Sequence, residues 1–192
     1  MAAIARLPTS YRALMGEFPL MPIRSGAEYD RAAKIIHKLA LREGKLDAGQ
    51  SYRLPTDAEW SIAVGLEGET GETPMAKDKI NKEMYPWPDN QWPPPRQAGN
   101  LGSVLKVDDY DDSTSPVGSF PPNRFGLFDM AGNVRQWCED AYANSPDAHV
   151  LRGSSWRAIW QELLYSSCRT SGSGNTPTEF DGFRCVLVTA GK

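Results

Sequence analysis

Apolar and polar positions follow a helical period in two stretches of the N-terminal third. In the first, SGAEYDRAAKIIHKLALREG over residues 25–44, Tyr29, Ala32, Ala33, Ile36, Leu39 and Ala40 fall on one face. Ser25 is placed to cap it, Glu28 completes a capping box, and Gly44 supplies the stop. His37 sits at the edge of that stripe and reads as a surface or boundary histidine. In the second, RLPTDAEWSIAVGL over 53–66, Thr56 caps and Glu59 closes a second box. Asp57 favours the positive end of the helix, and Trp60, Ala63 and Val64 form its inner face.

Beyond Gly65 the period dissolves. The segment MYPWPDNQWPPPRQAGN (84–100) is rich in proline and tryptophan, and its three successive prolines favour extended backbone. It reads either as a ligand for a proline-recognising domain or as a surface loop anchored by its tryptophans. The next segment, LKVDDYDDSTSPVGSF (105–120), holds four aspartates within five positions but lacks the glycine and terminal glutamate of an EF-hand loop. A short strand is expected near 117–120. The last third predicts strands in NVRQWCED (133–140), HVLRGSSW (149–156) and FDGFRCVLV (180–188). In the last of these, Phe183, Cys185 and Leu187 alternate with Arg184, Val186 and Val188, as in a strand buried on one face. A long polar stretch separates Trp156 from Gly182. These elements make an α+β chain, expected to be a single domain over 1–192 with 1–24 as an N-terminal extension.

Composition narrows the function classes. Of 192 residues 40% are hydrophobic and 23% charged, and the net charge is −3, with no basic stripe. Phosphate-driven nucleic-acid binding is therefore not expected. No apolar run reaches the roughly 18 residues a bilayer span needs, and the first residues lack a signal-peptide core, so a cytoplasmic location is the default expectation. Fifteen prolines, 17 glycines and six tryptophans describe a loop-rich chain whose large aromatics pin irregular backbone. The three cysteines, Cys138, Cys168 and Cys185, show no CxxC spacing; they are buried free thiols, or Cys168 and Cys185 form one bridge. His37 and His149 are the only histidines, too few for an imidazole cluster.

The stretch NRFGLFDMAGNVRQWCED (123–140) crowds turn formers and oxygen-bearing side chains around large apolar groups. Phe125, Leu127, Phe128, Val134 and Trp137 are core candidates. Gly126 and Gly132 permit backbone geometry other residues resist. Any oxygen placed inside requires a partner.

Five motifs occur in order: YRLPTDAEW (52–60), SPVGSFPPNRFGLFDMAGNV (115–134), WCED (137–140), LRGSSW (151–156) and DGFRCV (181–186). Together they resemble the formylglycine-generating-enzyme, or sulfatase-modifying-factor, family. The resemblance implies a C-type lectin-like α+β fold over 25–192, with two helices, short twisted antiparallel strands and much irregular loop. It also implies a shortened member, since only residues 1–24 precede the first expected helix.

The family's sulfatase-activating oxidases bind copper through two cysteines after a GGS turn. By the resemblance the matching positions here fall near Ala158 and Leu163, and neither can supply the soft thiolate that cuprous ion requires. Cys168 matches a non-catalytic family cysteine. The family's iron-dependent sulfoxide synthases need a histidine cluster this chain lacks. The expectation is therefore a protein that is not an enzyme, although an oxidase with altered metal chemistry is an alternative.

A third group in the family binds without catalysis and includes the variable proteins of diversity-generating retroelements, which vary residues between RGGSW and GFR. By that likeness 157–181 is the candidate display segment. Its candidate ligand-binding residues are Arg157, Ile159, Trp160, Glu162, Tyr165, Thr170, Ser171, Ser173, Asn175, Glu179 and Phe180. Aromatic and arginine anchors among small polar residues suit adaptable recognition, and the expected ligand is a protein. The 84–95 loop is a neighbouring candidate. Alternatives are an undiversified accessory module, or an ordinary loop with Leu163, Leu164 and Tyr165 packed inward. The Glu-Pro-Asn triplet of sugar-binding lectins is absent.

The resemblance further implies two calcium sites and no other cofactor. The first would use the Asn100 side chain, the Leu101 carbonyl, Asp108 and the Tyr110 carbonyl. The second would use Asp129, the Gly132 and Val134 carbonyls, and Gln136. These are oxygen donors of the kind calcium takes. The family's GNVWEW is GNVRQW here, so Arg135 replaces an aromatic and Gln136 a glutamate, which weakens the second site. The alternative there is a metal-free turn in which Asn133 and Gln136 bond to backbone.

Overall fold

The computed structural model describes residues 49–80, 84–110, 113–143, 147–173 and 178–189. The expected helix over 25–44, with His37, lies outside them. Among the described residues two helices and six strands follow in chain order: β1 (Gln50–Arg53), α1 (Asp57–Val64), α2 (Pro74–Ile80), β2 (Arg135–Ala141), β3 (Ala148–Arg152), β4 (Thr170–Ser173), β5 (Asp181–Phe183) and β6 (Val186–Thr189).

Helix α1 forms where its capping box predicts. Thr56 takes extended backbone and its hydroxyl accepts from the Glu59 N–H, while the Glu59 carboxylate accepts from the Thr56 N–H at 2.8 Å. Gly65 closes the helix at φ 98°, a left-handed conformation that suits a residue without a side chain. Trp60 and Val64 are buried and Ala63 half-buried. Helix α2 escaped the sequence reading. It buries no residue, so it carries no apolar stripe; the Thr73 hydroxyl accepts from the Ala76 N–H at its start.

Four strands form a mixed sheet in the order β4-β3-β2-β5, and β1 pairs with β6 in a separate antiparallel ribbon. The centre of the sheet is β2, antiparallel to β3 and parallel to β5. Its register sets Gln136 opposite Arg152 and Trp137 opposite Leu151, then shifts before Ala141 meets His149. Strand β4 was also missed, because Thr-Ser-Gly-Ser carries no apolar alternation. Its Gly172 lies under a tryptophan: a Cβ there would come within 2.5 Å of the Trp137 ring.

The expected single strand over 180–188 is two short strands in different sheets. The extended ladder is interrupted at Arg184 and Cys185, and Cys185 and Leu187 are exposed where burial was expected. No strand forms at 117–120; the chain turns there with Gly118 at φ 77°. Phe125 is 51% exposed and is not a core residue, whereas Leu127, Phe128, Val134 and Trp137 are half-buried. Gly126 and Gly132 both adopt the positive φ foreseen, 78° and 69°. None of the three cysteines is in a disulfide; Cys138 is buried as expected, but Cys168 is half-buried and Cys185 exposed.

Two apolar clusters hold the fold. One joins Trp60, Val64 and Leu66 to Met130, Cys138 and Val150. The other joins Tyr85, Trp87, Leu101, Val107, Ala131, Ala158 and Leu164. In the second, the Tyr85 and Trp87 rings stack at 4.6 Å, and Trp92 and Tyr165 lie 5.9 and 5.2 Å from Tyr85. The proline-rich segment is thus a loop pinned by its aromatics. Between α1 and the sheet lies a buried ionic network. Asp57, Arg152 and Arg169 are each 2% exposed or less; the Asp57 carboxylate accepts from both guanidiniums, and Arg169 also donates to Glu69 at 2.8 Å.

Candidate functional site

The chain leaves β3 at Arg152 through a strained turn, with Gly153 at φ 86° and Ser154 at φ 65°. Backbone bonds then fix its course: the Trp156 N–H donates to the Asn133 carbonyl and the Gly102 N–H to the Ala158 carbonyl. Past Trp160 a 3-10 turn over Gln161–Leu164 drives Leu164 into the core at 2% exposure. The neighbours of Leu164 stay outside: Ile159 and Leu163 are each 38% exposed and Trp160 is 66% exposed.

These constraints open a cleft of about 370 Å³ beside the sheet. Its apolar lining comes from Leu151, Ala158, Ile159, Trp160, Leu163 and Phe180. Its polar lining comes from Arg135, Ser154, Ser155, Arg157 and Thr170, and Cys168 also lines it. Phe180 is held by packing on Trp156, 5.3 Å between ring centroids, and by its carbonyl, which accepts from the Arg135 N–H at 2.7 Å.

Two arginines line this cleft. The Arg135 Nε donates to the buried Asp181 carboxylate at 2.7 Å, and Thr178 donates to the other oxygen of the same carboxylate. Arg157 is exposed and stands 6.0 Å from the Trp156 ring and 5.9 Å from the Phe180 ring. It makes no ion pair among the described residues.

Of the expected display residues, the cleft gathers Arg157, Ile159, Trp160, Thr170 and Phe180. Glu162, Ser171 and Glu179 are exposed but do not line it, and Ser173 is half-buried in β4. Tyr165 turns toward Tyr85 and the core. Asn175 lies outside the described residues. The sequence reading missed Arg135 as a cleft residue. Its signal was the departure from GNVWEW, read only for its effect on a cation. Ala158 and Leu163, near which the resemblance expects the family's copper thiolates, both line this cleft, as does Cys168.

The two calcium donor sets differ. In the first, the Asn100 Oδ1 is buried with no hydrogen-bond partner, while its Nδ2 donates to the Ser113 carbonyl at 2.9 Å. Asp108 accepts from the Leu101 and Tyr110 N–H groups, both at 2.9 Å, which leaves its further lone pairs open. An unpartnered buried oxygen beside a carboxylate fits a cation. In the second set, the Gln136 Oε1 already accepts from the Trp60 Nε1 at 2.8 Å and from the Arg184 Nε at 2.6 Å. Its Nε2 donates to the Asp129 carbonyl, and Arg184 also reaches the Phe128 carbonyl at 2.9 Å. The Asp129 Oδ1 is buried without a partner, and burial raises its carboxyl above the usual range. With the amide oxygen engaged and a guanidinium at hand, this arrangement does not fit a second calcium ion. Asn133 bonds to the Ser115 backbone through both ends of its amide.

A family model described as the sulfatase-modifying factor enzyme 1-like domain matches residues 9–189. The chain belongs to that family. Similar curated proteins in this family include the inactive C-alpha-formylglycine-generating enzyme 2 of Bos taurus, 36% identical over 150 residues. That match covers 72% of this chain and 45% of the relative. They also include the formylglycine-generating enzyme of Streptomyces coelicolor, 34% identical over 160 residues, covering 70% of this chain and 46% of the relative. The chain spans about half the length of these family members. Among solved structures, Treponema denticola variable protein 1 aligns with a TM-score of 0.53 at 23% identity, covering 98% of this chain and 59% of that one. PvdO from Pseudomonas aeruginosa aligns at 0.52 and 22%, covering 84% and 58%. At those identities the likeness is one of fold, and it bears out the C-type lectin-like α+β architecture. Among the described residues no helix is long and apolar enough to cross a membrane, and no group of three His, Cys, Asp or Glu side chains converges as a metal site would require.

Proposed function

We propose that this family member is a non-catalytic binding module whose recognition face is the cleft between Trp160 and Phe180. The observation that carries the reading is the pairing of Ala158 and Leu163 on a cleft whose rim exposes Trp160. Where the family resemblance calls for two thiolates, this chain has a methyl group and an isobutyl group, so only Cys168 could offer sulfur. One thiol does not make the two-thiolate site that cuprous ion favours. A large exposed aromatic beside a concave apolar lining is instead the make-up of a binding anchor. The partner is a protein, and the finer reading is that exposed positions within 157–181 are diversified between copies of the locus.

Two measurements test this. Metal analysis together with oxygen uptake in the presence of a cysteine-containing peptide should show neither bound copper or iron nor turnover; tight metal binding with turnover overturns the reading. Sequencing of the locus from many isolates should find substitutions concentrated in 157–181 and a nearby reverse transcriptase. A uniform spread of substitutions removes the diversification and leaves an undiversified module.

Calcium at the Asn100 set belongs to the same proposal as a structural ion, held by the Asn100 oxygen, the Leu101 and Tyr110 carbonyls and Asp108. Chelation should then lower the melting temperature, and N100A should abolish that effect.

A further inference from the structure

We infer that the cleft takes a peptide segment in which an apolar or aromatic side chain lies next to a carboxylate. The inference rests on the proposal that this cleft is a binding site, and it names the chemistry of the occupant. The apolar lining sets the first half of the recognition. Ile159, Trp160 and Leu163 are exposed and line the cleft together with Phe180, and an inserted ring or branched aliphatic group would bury surface already turned away from the core.

The charge of the cleft sets the second half. Asp181 accounts for one of the two guanidiniums, since Arg135 holds it at 2.7 Å. Arg157 remains as a surplus positive charge. Its guanidinium stands about 6 Å from the Trp156 and Phe180 rings, and Arg157 is among the residues that line the cleft. A guanidinium pairs with a planar carboxylate through two parallel hydrogen bonds and disfavours a lysine or arginine on the ligand. The Ser154 and Ser155 hydroxyls and Thr170 add neutral donors and acceptors to the same lining. Glu162 and Glu179, the exposed acids of the segment, are not among the lining residues and do not neutralise it.

The carboxylate has two sources in a protein, a Glu or Asp side chain or a chain terminus. The test uses four fluorescein-labelled peptides of otherwise identical Gly-Ser composition, titrated against the full chain by fluorescence polarisation. One carries internal Phe-Glu with an amidated end. A second ends in Phe with a free carboxylate, a third carries internal Phe-Gln with an amidated end, and a fourth internal Phe-Lys with an amidated end. At least one carboxylate peptide should bind about tenfold or more tightly than the Phe-Gln peptide, as loss of one charge-assisted hydrogen bond implies. Whichever it is identifies the source. R157Q, at an exposed position, should leave the melting temperature unchanged and erase that preference; W160A should weaken all four peptides.

Binding of both carboxylate peptides no tighter than that of the Phe-Gln peptide, or no binding by any of the four, overturns the inference. The binding-module reading has a separate test in the metal and turnover measurements, so the two fail distinguishably.

Discussion

Replacing Asp57 by asparagine tests the ionic network that ties α1 to the sheet. The substitution keeps side-chain shape and removes one negative charge from a site only 2% exposed. In the native network Asp57 and Glu69 carry two negative charges against Arg152 and Arg169, with Lys77 3.7 Å from Asp57 at the edge. After the change, two guanidiniums that are almost wholly inside face one carboxylate. Part of the amide must also turn an N–H₂ donor toward them. Removing one partner of a buried pair costs about 3–5 kcal/mol, because the remaining charge is left uncompensated. For a domain of this size that corresponds to a fall in melting temperature of about 6–20 °C.

The pH dependence gives a second reading of the same group. Burial works to raise the Asp57 carboxyl, but the Arg152 and Arg169 guanidiniums outweigh it, so the folded value lies below the ordinary one. A carboxyl lowered on folding contributes stability above its unfolded pKa, near 4, and loses it as pH falls through the folded value. Urea unfolding of wild type and D57N at pH 7 and at steps below pH 4 measures both effects. The wild type should converge on the variant as the solution is acidified. A loss under about 1 kcal/mol at pH 7 would refute the reasoning, since it would mean that water or rearranged side chains compensate the two arginines.

Three further outcomes can be checked in the same assay. T56A removes the hydroxyl that accepts from the Glu59 N–H and should cost about 1 kcal/mol; an unchanged midpoint would mean that Glu59 and Arg53 hold the helix start without it. G132A should cost at least about 2 kcal/mol, because the site is at φ 69° and a Cβ would come 2.0 Å from the Asn100 carbonyl oxygen. D129N should act in the opposite sense with pH. Burial raises the Asp129 carboxyl, with only partial relief from the Gly118 N–H and Arg184, so ionisation opposes the fold as pH rises above about 4. In chelator the variant should lack that decline and match or exceed wild type at pH 7, and an identical slope for the two proteins would contradict this.

What was legible in the chain is what local chemistry decides. The start and stop of α1 follow from Thr56, Glu59 and Gly65, each acting within four residues of its partner. The cores of β2 and β3 follow from apolar residues that meet across one sheet. Other elements depend on neighbours remote in sequence. Gly172 belongs to a strand because Trp137 covers it, and nothing in Thr-Ser-Gly-Ser announces a tryptophan 35 residues earlier. The alternation over 180–188 pointed to one strand. Arg184 breaks it by donating to Gln136 and the Phe128 carbonyl, contacts that a hydrophobic pattern does not register. Of the eleven residues named for the display segment, five line the cleft. The 3-10 turn directs Tyr165 inward, and Arg135 enters from β2.

The ribbon of β1 and β6 sets Gln50 beside Thr189 in antiparallel register. Paired backbones in that arrangement lie about 5 Å apart. A cut in a loop anywhere between Arg53 and Val186 therefore leaves two fragments that are still clasped to each other by this ribbon. Nicking of an exposed turn should leave the cleft assembled until the ribbon itself is opened.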